Sequence, residues 1–117
     1  MSEVASFKDL LLWQKGILIV KRTYNISNAL PMEEQYGLVN QMRRSSTSIP
    51  AGVAEGWGRK STKTYVQHIR IALRSLFELH THLVVANEWG FITEDEIVSI
   101  EKQINEEGKM IQTLIEK

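Results

Sequence analysis

Residues 41–59 of this chain read QMRRSSTSIPAGVAEGWGR, and this stretch decides the fold. Apolar residues recur at helical spacing through it, from Met42 to Val53, which predicts a helix. Pro50 lies inside that pattern, although proline lacks a backbone N–H and crowds the carbonyl four residues earlier, at a cost of about 3 kcal/mol or more. The hydroxyl residues just before it, 45–48, can bond to nearby backbone groups. The stretch therefore predicts a helix that is kinked at Pro50 and that ends in the glycine-flanked segment after it.

The same helical spacing extends on both sides of this stretch. It predicts helices over about residues 7–28, 33–57, 62–89 and 94–116, bounded by capping residues, glycines or prolines. Each helix would be ~33 to 42 Å long at a rise of 1.5 Å per residue. Four such helices joined by short turns predict an all-α fold, an up-down-up-down antiparallel four-helix bundle. Because 117 residues is the usual size of one domain, residues 1–117 are expected to form a single domain.

Each predicted helix has an inward face that follows from its apolar spacing. In the first helix this face is Leu10, Trp13, Ile17, Val20 and Tyr24. In the second it is Leu38, Val39, Met42, Ser46, Ile49 and Val53. In the third it is Tyr65, Ile69, Ala72, Leu76, Leu79, Leu83 and Ala86, and in the fourth Ile97, Ile100, Ile104, Ile111 and Leu114. The first helix carries more apolar residues than one face needs, which predicts a second contact surface on it.

The composition limits the classes of protein to consider. With 43% hydrophobic and 24% charged residues the chain should fold, and the absence of cysteine excludes disulfides, thiolate metal sites and a cysteine nucleophile. The N-terminal sequence does not have a basic and then apolar leader, and the apolar runs are too short to span a bilayer. We therefore expect a cytoplasmic protein that does not interact with membranes.

The net charge of zero hides an uneven distribution. Residues 1–74 contain 11 Lys and Arg against 5 Asp and Glu, a net charge of +6, whereas residues 75–117 contain 3 against 9, a net charge of −6. Such asymmetry indicates an anionic partner for the basic part. It is equally consistent with an acidic last helix that neutralises the basic helices beside it.

Catalytic and metal-binding patterns are absent from the sequence. There is no Glu-x-x-His pair of the kind that builds di-iron sites in bundles, and His80 and His82 would point to opposite sides of a helix. Ser48 is not in a nucleophile elbow, and the glycines do not form a phosphate-binding loop. We expect no enzymatic activity, no metal or other cofactor and no small-molecule substrate.

Basic residues form the clearest functional pattern. At 100° per residue, the outward side of the third helix carries a row that we call the outward stripe: Lys63, Gln67, Arg70, Arg74 and Thr81. A row of cations at this spacing can follow a phosphate backbone, although Glu78 interrupts it and an ordinary solvated face would look the same. The residues predicted to contact nucleic acid are Arg43, Arg59, Lys60, Lys63, Arg70 and Arg74.

The side of the second helix that points away from its apolar face is rich in small residues. Long charged side chains are usual on a solvated face, so a smooth face indicates close approach of another backbone, from this bundle or from another subunit. Because the first helix also has surplus apolar surface, we favour a homo-oligomer. The residues predicted at the interface, which we call the small face, are Arg44, Ser48, Ala51, Ala54 and Glu55.

Several motifs resemble a known family. They are Gln41-Met42-Arg43-Arg44, Ser48-Ile49-Pro50-Ala51, Val53-Ala54-Glu55-Gly56-Trp57-Gly58-Arg59 and the segment 71–79. Together they resemble the four-helix-bundle family of 23S rRNA-intervening sequence proteins, which is also labelled a ribosomal protein family and is similar to the accessory variability determinant of diversity-generating retroelements. Segments near both ends, around Trp13 and Trp89, also fit, so the resemblance covers nearly the whole chain.

This resemblance implies a bacterial four-helix bundle that assembles as a ring-like homopentamer with a basic surface and without enzymatic activity. For the retroelement relatives it also implies binding to nucleic acid and to a reverse transcriptase. Two positions depart from the family pattern: Gly52 replaces the usual asparagine, and Arg74 replaces the usual glycine. The second departure adds a cation to the outward stripe.

The sequence thus leads to one favoured function and one alternative. The favoured function is a non-enzymatic oligomeric bundle that binds structured RNA or DNA through phosphate contacts on its basic outer surface. The alternative is a protein-interaction scaffold that uses the same oligomer without binding nucleic acid.

Overall fold

The computed structural model describes residues 6–59 and 61–116, and in these residues it contains α-helices and short 3₁₀ turns but no strand. The α-helices are α1 (Leu11–Ser27), α2 (Leu38–Trp57), α3 (Thr62–Glu88) and α4 (Glu94–Glu116). Each helix packs on its neighbours in sequence, and α4 also packs on α1, which closes the ring. The all-α four-helix bundle predicted from the sequence is confirmed.

Side-chain caps mark several of the helix boundaries. Before α4, the Thr93 hydroxyl accepts from the Glu96 N–H at 3.1 Å and the Glu96 carboxylate accepts from the Thr93 N–H at 3.0 Å. Ser61 caps α3 by accepting from the Thr64 N–H at 3.2 Å. After α3, Gly90 has a φ of +78°, a conformation that glycine adopts without steric cost. These features were readable from the sequence, so the starts of α3 and α4 agree with the prediction.

The starts of α1 and α2 differ from the prediction. Ser6 forms the expected capping box with Asp9, but it opens a 3₁₀ turn, Phe7–Asp9, and α1 begins only at Leu11. Likewise Met32–Glu34 is a 3₁₀ turn, and α2 begins at Leu38 rather than near residue 33. The residue before α2 is Gly37, which provides no side-chain cap. In residues 31–37 the backbone forms i→i+3 hydrogen bonds, which are typical of a 3₁₀ turn.

The predicted inward face of α1 is wrong. The residues that the structure buries are Leu12, Gly16, Ile19, Thr23, Ile26 and Ser27. The predicted residues lie on the flank of this face, and Tyr24 is 39% exposed. Apolar spacing could not select the face because α1 is apolar on most sides. Contact with the other helices selects it: Gly16 has no side chain, so Pro50 of α2 and Glu107 of α4 can approach it closely.

The inward faces of the other helices agree with the sequence pattern. In α3 the predicted residues from Ile69 to Ala86 are all buried, and Tyr65 packs on the core from its edge. In α4 the four predicted isoleucines are buried and Leu114 packs on the core. In these two helices the inward face has a regular apolar spacing, whereas the outer side mixes apolar with charged residues, so the pattern indicated one face.

The hydroxyl residues before Pro50 bond back to their own helix. Ser45, Ser46, Thr47 and Ser48 donate to backbone carbonyls in residues 41–44, at 2.8–3.2 Å. The helix continues through Pro50, which is buried against α1. This bonding satisfies the hydroxyl groups within α2 and keeps the side chains of Thr47 and Ser48, which reach the surface, close to the helix.

Two glycines set the distance between α2 and α3. A methyl group at Gly52 would lie 3.1 Å from both the Ala72 Cβ and the His68 carbonyl oxygen. A methyl group at Gly56 would lie 3.2 Å from the His68 Cβ. Because glycine follows glycine after one helical turn, the backbones of α2 and α3 can approach along this line.

Gly52→Ala is expected to lower the free energy of unfolding by about 1–3 kcal/mol, because the new methyl group meets backbone atoms of α3 and overpacks the contact. Gly108→Ala is the matched control in α4. Its methyl group would meet only the flexible end of Leu76, at 3.4 Å, and alanine raises helix stability by about 1 kcal/mol. Urea denaturation at equal protein concentration measures both. Equal stability of the two variants would contradict the close α2–α3 contact.

Candidate functional site

The outward stripe lies on the solvent side of α3, as predicted. Its members, Lys63, Gln67, Arg70, Arg74 and Thr81, are all exposed and lie opposite the buried residues of the helix. Arg59, in the turn before α3, is also exposed. Lys60 lies outside the described residues.

The cations of the stripe are not neutralised by the acidic last helix. In the part of the chain that the structure describes, Arg59, Lys63, Arg70 and Arg74 make no ion pair. The α4 carboxylates that do form pairs have other partners: Glu106 pairs with Lys15 of α1, and Glu101 Oε2 lies 2.7 Å from His80 Nε2. Glu78, on the same side of α3 as the stripe, also has another partner: its Oε1 lies 3.5 Å from His82 Nε2. The guanidinium groups of the stripe therefore remain available to an anionic partner.

Arg43 is not brought to the stripe. Its Nε donates to the Ser27 hydroxyl at 2.9 Å, and its Nη2 donates to the Asn28 side-chain oxygen at 2.8 Å. The guanidinium carbon also lies 4.7 Å from the centre of the Tyr24 ring. These contacts join α2 to the end of α1, on a different side of the bundle from the stripe. Arg43 thus has a bonded structural position, and Arg59, Lys63, Arg70 and Arg74 form a separate group among the described residues.

An aromatic side chain, Phe77, lies beside the cations of the outward stripe. The sequence prediction did not include it. Phe77 is 56% exposed and follows Arg74 by three residues and Arg70 by seven, so it shares their side of α3. It also lines a groove of about 570 Å³ between α3 and α4, which reaches Gly108 and Lys109. The signal was present in the sequence, since an apolar residue opposite the buried face of a helix is unusual for a solvated side.

The small face lies on the outer side of α2. Arg44, Ala51 and Glu55 are exposed, while Ser48 and Ala54 are half-buried. Glu55 approaches His68 of α3, with 3.5 Å between its Oε2 and the imidazole Nδ1. The predicted members are therefore neighbours on one accessible surface.

In residues 6–59 and 61–116, no group of three or more His, Asp and Glu side chains is placed to hold a metal ion. Within the same ranges, none of the helices combines the length and apolar character needed to cross a bilayer.

A buried carboxyl group lies in the core, at Glu107 of α4. Its side chain is fully buried, and neither carboxyl oxygen has a hydrogen-bond partner among the described residues. The Oε2 atom points at Gly16 and would lie 3.1 Å from a methyl group there. Burial raises the pKa of Glu107 to about 8, an effect that Lys15 reduces and Glu106 increases. The group is therefore mainly neutral at pH 7, which lowers the cost of burying it.

Sequence reasoning did not find Glu107, although a signal existed. It lies three residues after Ile104 and four before Ile111, so it occupies the buried face of α4 by spacing alone. Charged residues are rarely buried without a partner, which made a solvent-facing position the natural prior.

Glu107→Gln is expected to remove a pH dependence of stability. Because the native pKa lies above the ordinary value of 4.5, the native protein keeps a proton that the unfolded chain releases. The free energy of unfolding should therefore fall as the pH rises from about 4.5 to about 8 and then level off. At the upper end the variant should be more stable than the parent by on the order of 3 kcal/mol, and near pH 5 the two should be similar.

Urea denaturation at a series of pH values measures this effect, with Glu88→Gln as the control because Glu88 is an exposed carboxylate on α3. The control should keep the parental pH dependence. Parallel curves for Glu107→Gln and the parent would show that the buried carboxyl does not retain its proton in the native state.

Comparison with known proteins identifies the relatives of this bundle. The family model described as 23S rRNA-intervening sequence protein matches residues 8–113. Among solved structures, a crystal structure of a protein of unknown function from the S23 ribosomal protein family of Bacteroides thetaiotaomicron superposes with a TM-score of 0.83. The two sequences are 25% identical, and the match covers 92% of this chain and 100% of that chain. A comparison with curated proteins gave no match.

Proposed function

The chain belongs to the 23S rRNA-intervening sequence protein family, and on this basis we propose that it is a non-enzymatic, oligomeric helical bundle that binds structured RNA or DNA through the outward stripe. The proposal joins the family relationship to the exposed cations of α3. It assigns the stripe to the nucleic acid and the small face to contacts between subunits.

The observation that supports this proposal best is the availability of Arg70 and Arg74. Both are exposed, and neither is ion-paired within the described chain, although α4 beside them carries many carboxylates. Lys63 and Arg74 lie roughly 16 Å apart along the helix, at 1.5 Å per residue. A straight row of cations over this length can contact several successive phosphates, and each contact releases a counterion.

The geometry favours recognition of backbone shape over recognition of sequence. Phosphate contacts fix position and orientation on a nucleic acid but do not read bases. Few cations are available in one subunit, so a single stripe should bind weakly. Several stripes in one oligomer would raise the effective affinity without any new contact, provided that one nucleic acid can reach them together.

Oligomerisation through the small face is the second part of the proposal. Between Arg44 and Glu55, the outer side of α2 carries the short side chains of Ser48, Ala51 and Ala54, so another helix can approach closely. Arg44 and Glu55 lie at the edges of this surface and offer opposite charges to a second copy. The ring-like pentamer that the resemblance implies is the arrangement we propose.

A protein-interaction scaffold is the competing function, and one observation favours it. The outer side of α3 carries exposed apolar residues among its cations, including Ile71 (40% exposed) and Val85 (41% exposed). Exposed apolar surface of this kind is also common where proteins bind other proteins. The response to salt separates the two functions, because contacts with phosphates weaken steeply as salt rises.

Arg70→Glu combined with Arg74→Glu is expected to abolish binding to an RNA hairpin, because it replaces two phosphate contacts by repulsion. Each lost contact should reduce the slope of log K against log salt by about 0.9 for a duplex. The control is Lys21→Glu with Lys102→Glu, which makes the same charge change at exposed positions on other sides of the bundle. Fluorescence anisotropy over a salt series measures both variants. Equal loss of affinity in both would indicate a general charge effect, and unchanged affinity in the first would contradict the proposed site.

Ala51→Glu is expected to split the oligomer, because it places a long charged side chain in the proposed subunit contact. Val98→Glu is the control, since Val98 is exposed on α4, which lies diagonally opposite α2 in the bundle. Light scattering measures the mass, and the Ala51 variant should approach the 13.4 kDa of one chain while the control keeps the parental mass. A parental mass in both variants would rule out the small face as the interface.

A further inference from the structure

A groove opens between α3 and α4 next to the outward stripe. We call it the α3–α4 groove; it has a volume of about 570 Å³ and an apolar floor that includes Leu73, Leu76 and Ile104. Gly108 keeps it open, because a side chain at this position would extend toward Leu76. The volume lies within the range of ordinary ligand sites.

Phe77 forms one wall of the α3–α4 groove and also belongs to the side of α3 that carries the stripe. It follows Arg74 by three residues, so their Cβ atoms are about 5–6 Å apart. A ring that is 56% exposed, beside guanidinium groups that have no ion pair with any described residue, combines a stacking surface with a phosphate contact. Proteins that bind single-stranded nucleic acid use this combination of a basic track and aromatic side chains.

The residues at the edges of the α3–α4 groove include cations, which favour an anionic ligand. Lys109 lies on the α4 side, and a neighbouring cleft that shares Leu73 brings in Arg70 and Arg74. Among the described residues that line the groove and the cleft, none is acidic. The nearby Glu101 carboxylate is occupied by His80, at 2.7 Å.

Two exposed carboxamides complete the rim, from Asn105 and Gln112 of α4. Each offers donors and an acceptor, which can pair with the edges of a base. An acidic amphipathic peptide is the other occupant that the charges would allow. It would make less use of these amides, because its carboxylates can only accept hydrogen bonds when they are ionised.

We infer that the α3–α4 groove receives unpaired bases, which stack on Phe77 while Arg70, Arg74 and Lys109 hold the adjoining phosphates. The inference rests on the proposed function and narrows it, since the preferred ligand is then a single-stranded segment, such as a loop or bulge, and not a continuous duplex. In a duplex the faces of the bases are covered by their neighbours, so Phe77 cannot reach them.

The test compares binding of one fluorescent RNA strand, alone and annealed to its complement, by anisotropy with the full chain. The parent should bind the single strand more tightly. Phe77→Ala should weaken single-strand binding by about 5- to 150-fold, the effect expected from losing one stacked base, and should leave duplex binding nearly unchanged. Phe77→Trp should retain single-strand binding, because it keeps a stacking surface.

Variants of Gly108 give an independent test that leaves the aromatic ring in place. Gly108→Leu should fill the groove and weaken single-strand binding, whereas Gly108→Ala should change it little. Thermal unfolding of each variant confirms that it is folded. Light scattering confirms that the oligomer mass is unchanged.

Several outcomes would overturn the inference. Tighter binding of the duplex, or single-strand affinity that Phe77→Ala and Gly108→Leu leave unchanged, would overturn it while the proposed function stands. A fall in oligomer mass in Phe77→Ala would assign the groove to a subunit contact.

Displacement of the strand by an acidic peptide, with Phe77→Ala weakening only the binding of the peptide, would assign the groove to a protein partner. Absence of any RNA binding by the parent would overturn both the inference and the proposed function.

Discussion

The bundle depends on the close approach of α2 to α3 at Gly52 and Gly56. At these positions any side chain would meet atoms of the facing helix within 3.1–3.3 Å. With its glycine side turned to α3 and Pro50 turned to Gly16 of α1, α2 presents its small face to solvent. The same contact fixes the rotation of α3, so that its cations point outward. One packing constraint therefore orients both of the surfaces to which function is assigned.

Charge in this protein is organised by helix pairing. The acidic α4 directs carboxylates toward Lys15 of α1 and His80 of α3, and it buries one of them, Glu107, in a largely neutral form. None of the ion pairs in the described residues involves the outward stripe. A chain with zero net charge can consequently present a basic surface on one side. A neutral total is thus compatible with the polyanion binding that we propose.

The sequence predicted most of the fold because α3 and α4 each have one inward face of regularly spaced apolar residues, with recognisable caps. It did not predict the inward face of α1, since this helix is apolar on more than one side and its orientation is selected by contacts with Gly16 that spacing does not encode. The direction of the stripe followed from helix geometry alone. The bonded state of Arg43 did not, because it depends on which helix lies alongside. The spacing of α4 placed Glu107 on the buried face, but a charged residue is rarely buried without a partner. The outward position of Phe77 could be predicted from helical spacing. The groove beside it could not, because it depends on where α4 places Gly108.

The most direct measurement is an NMR titration of the arginine side-chain Nε–H signals with an RNA hairpin. The account predicts that the signals of Arg70 and Arg74 shift and broaden as RNA is added. Arg43 should stay unchanged, since its Nε already donates to Ser27 and provides an internal reference. Shifts confined to Arg43, or no shift at Arg70 and Arg74 when RNA is bound, would contradict the claim that the outward side of α3 is the nucleic-acid surface.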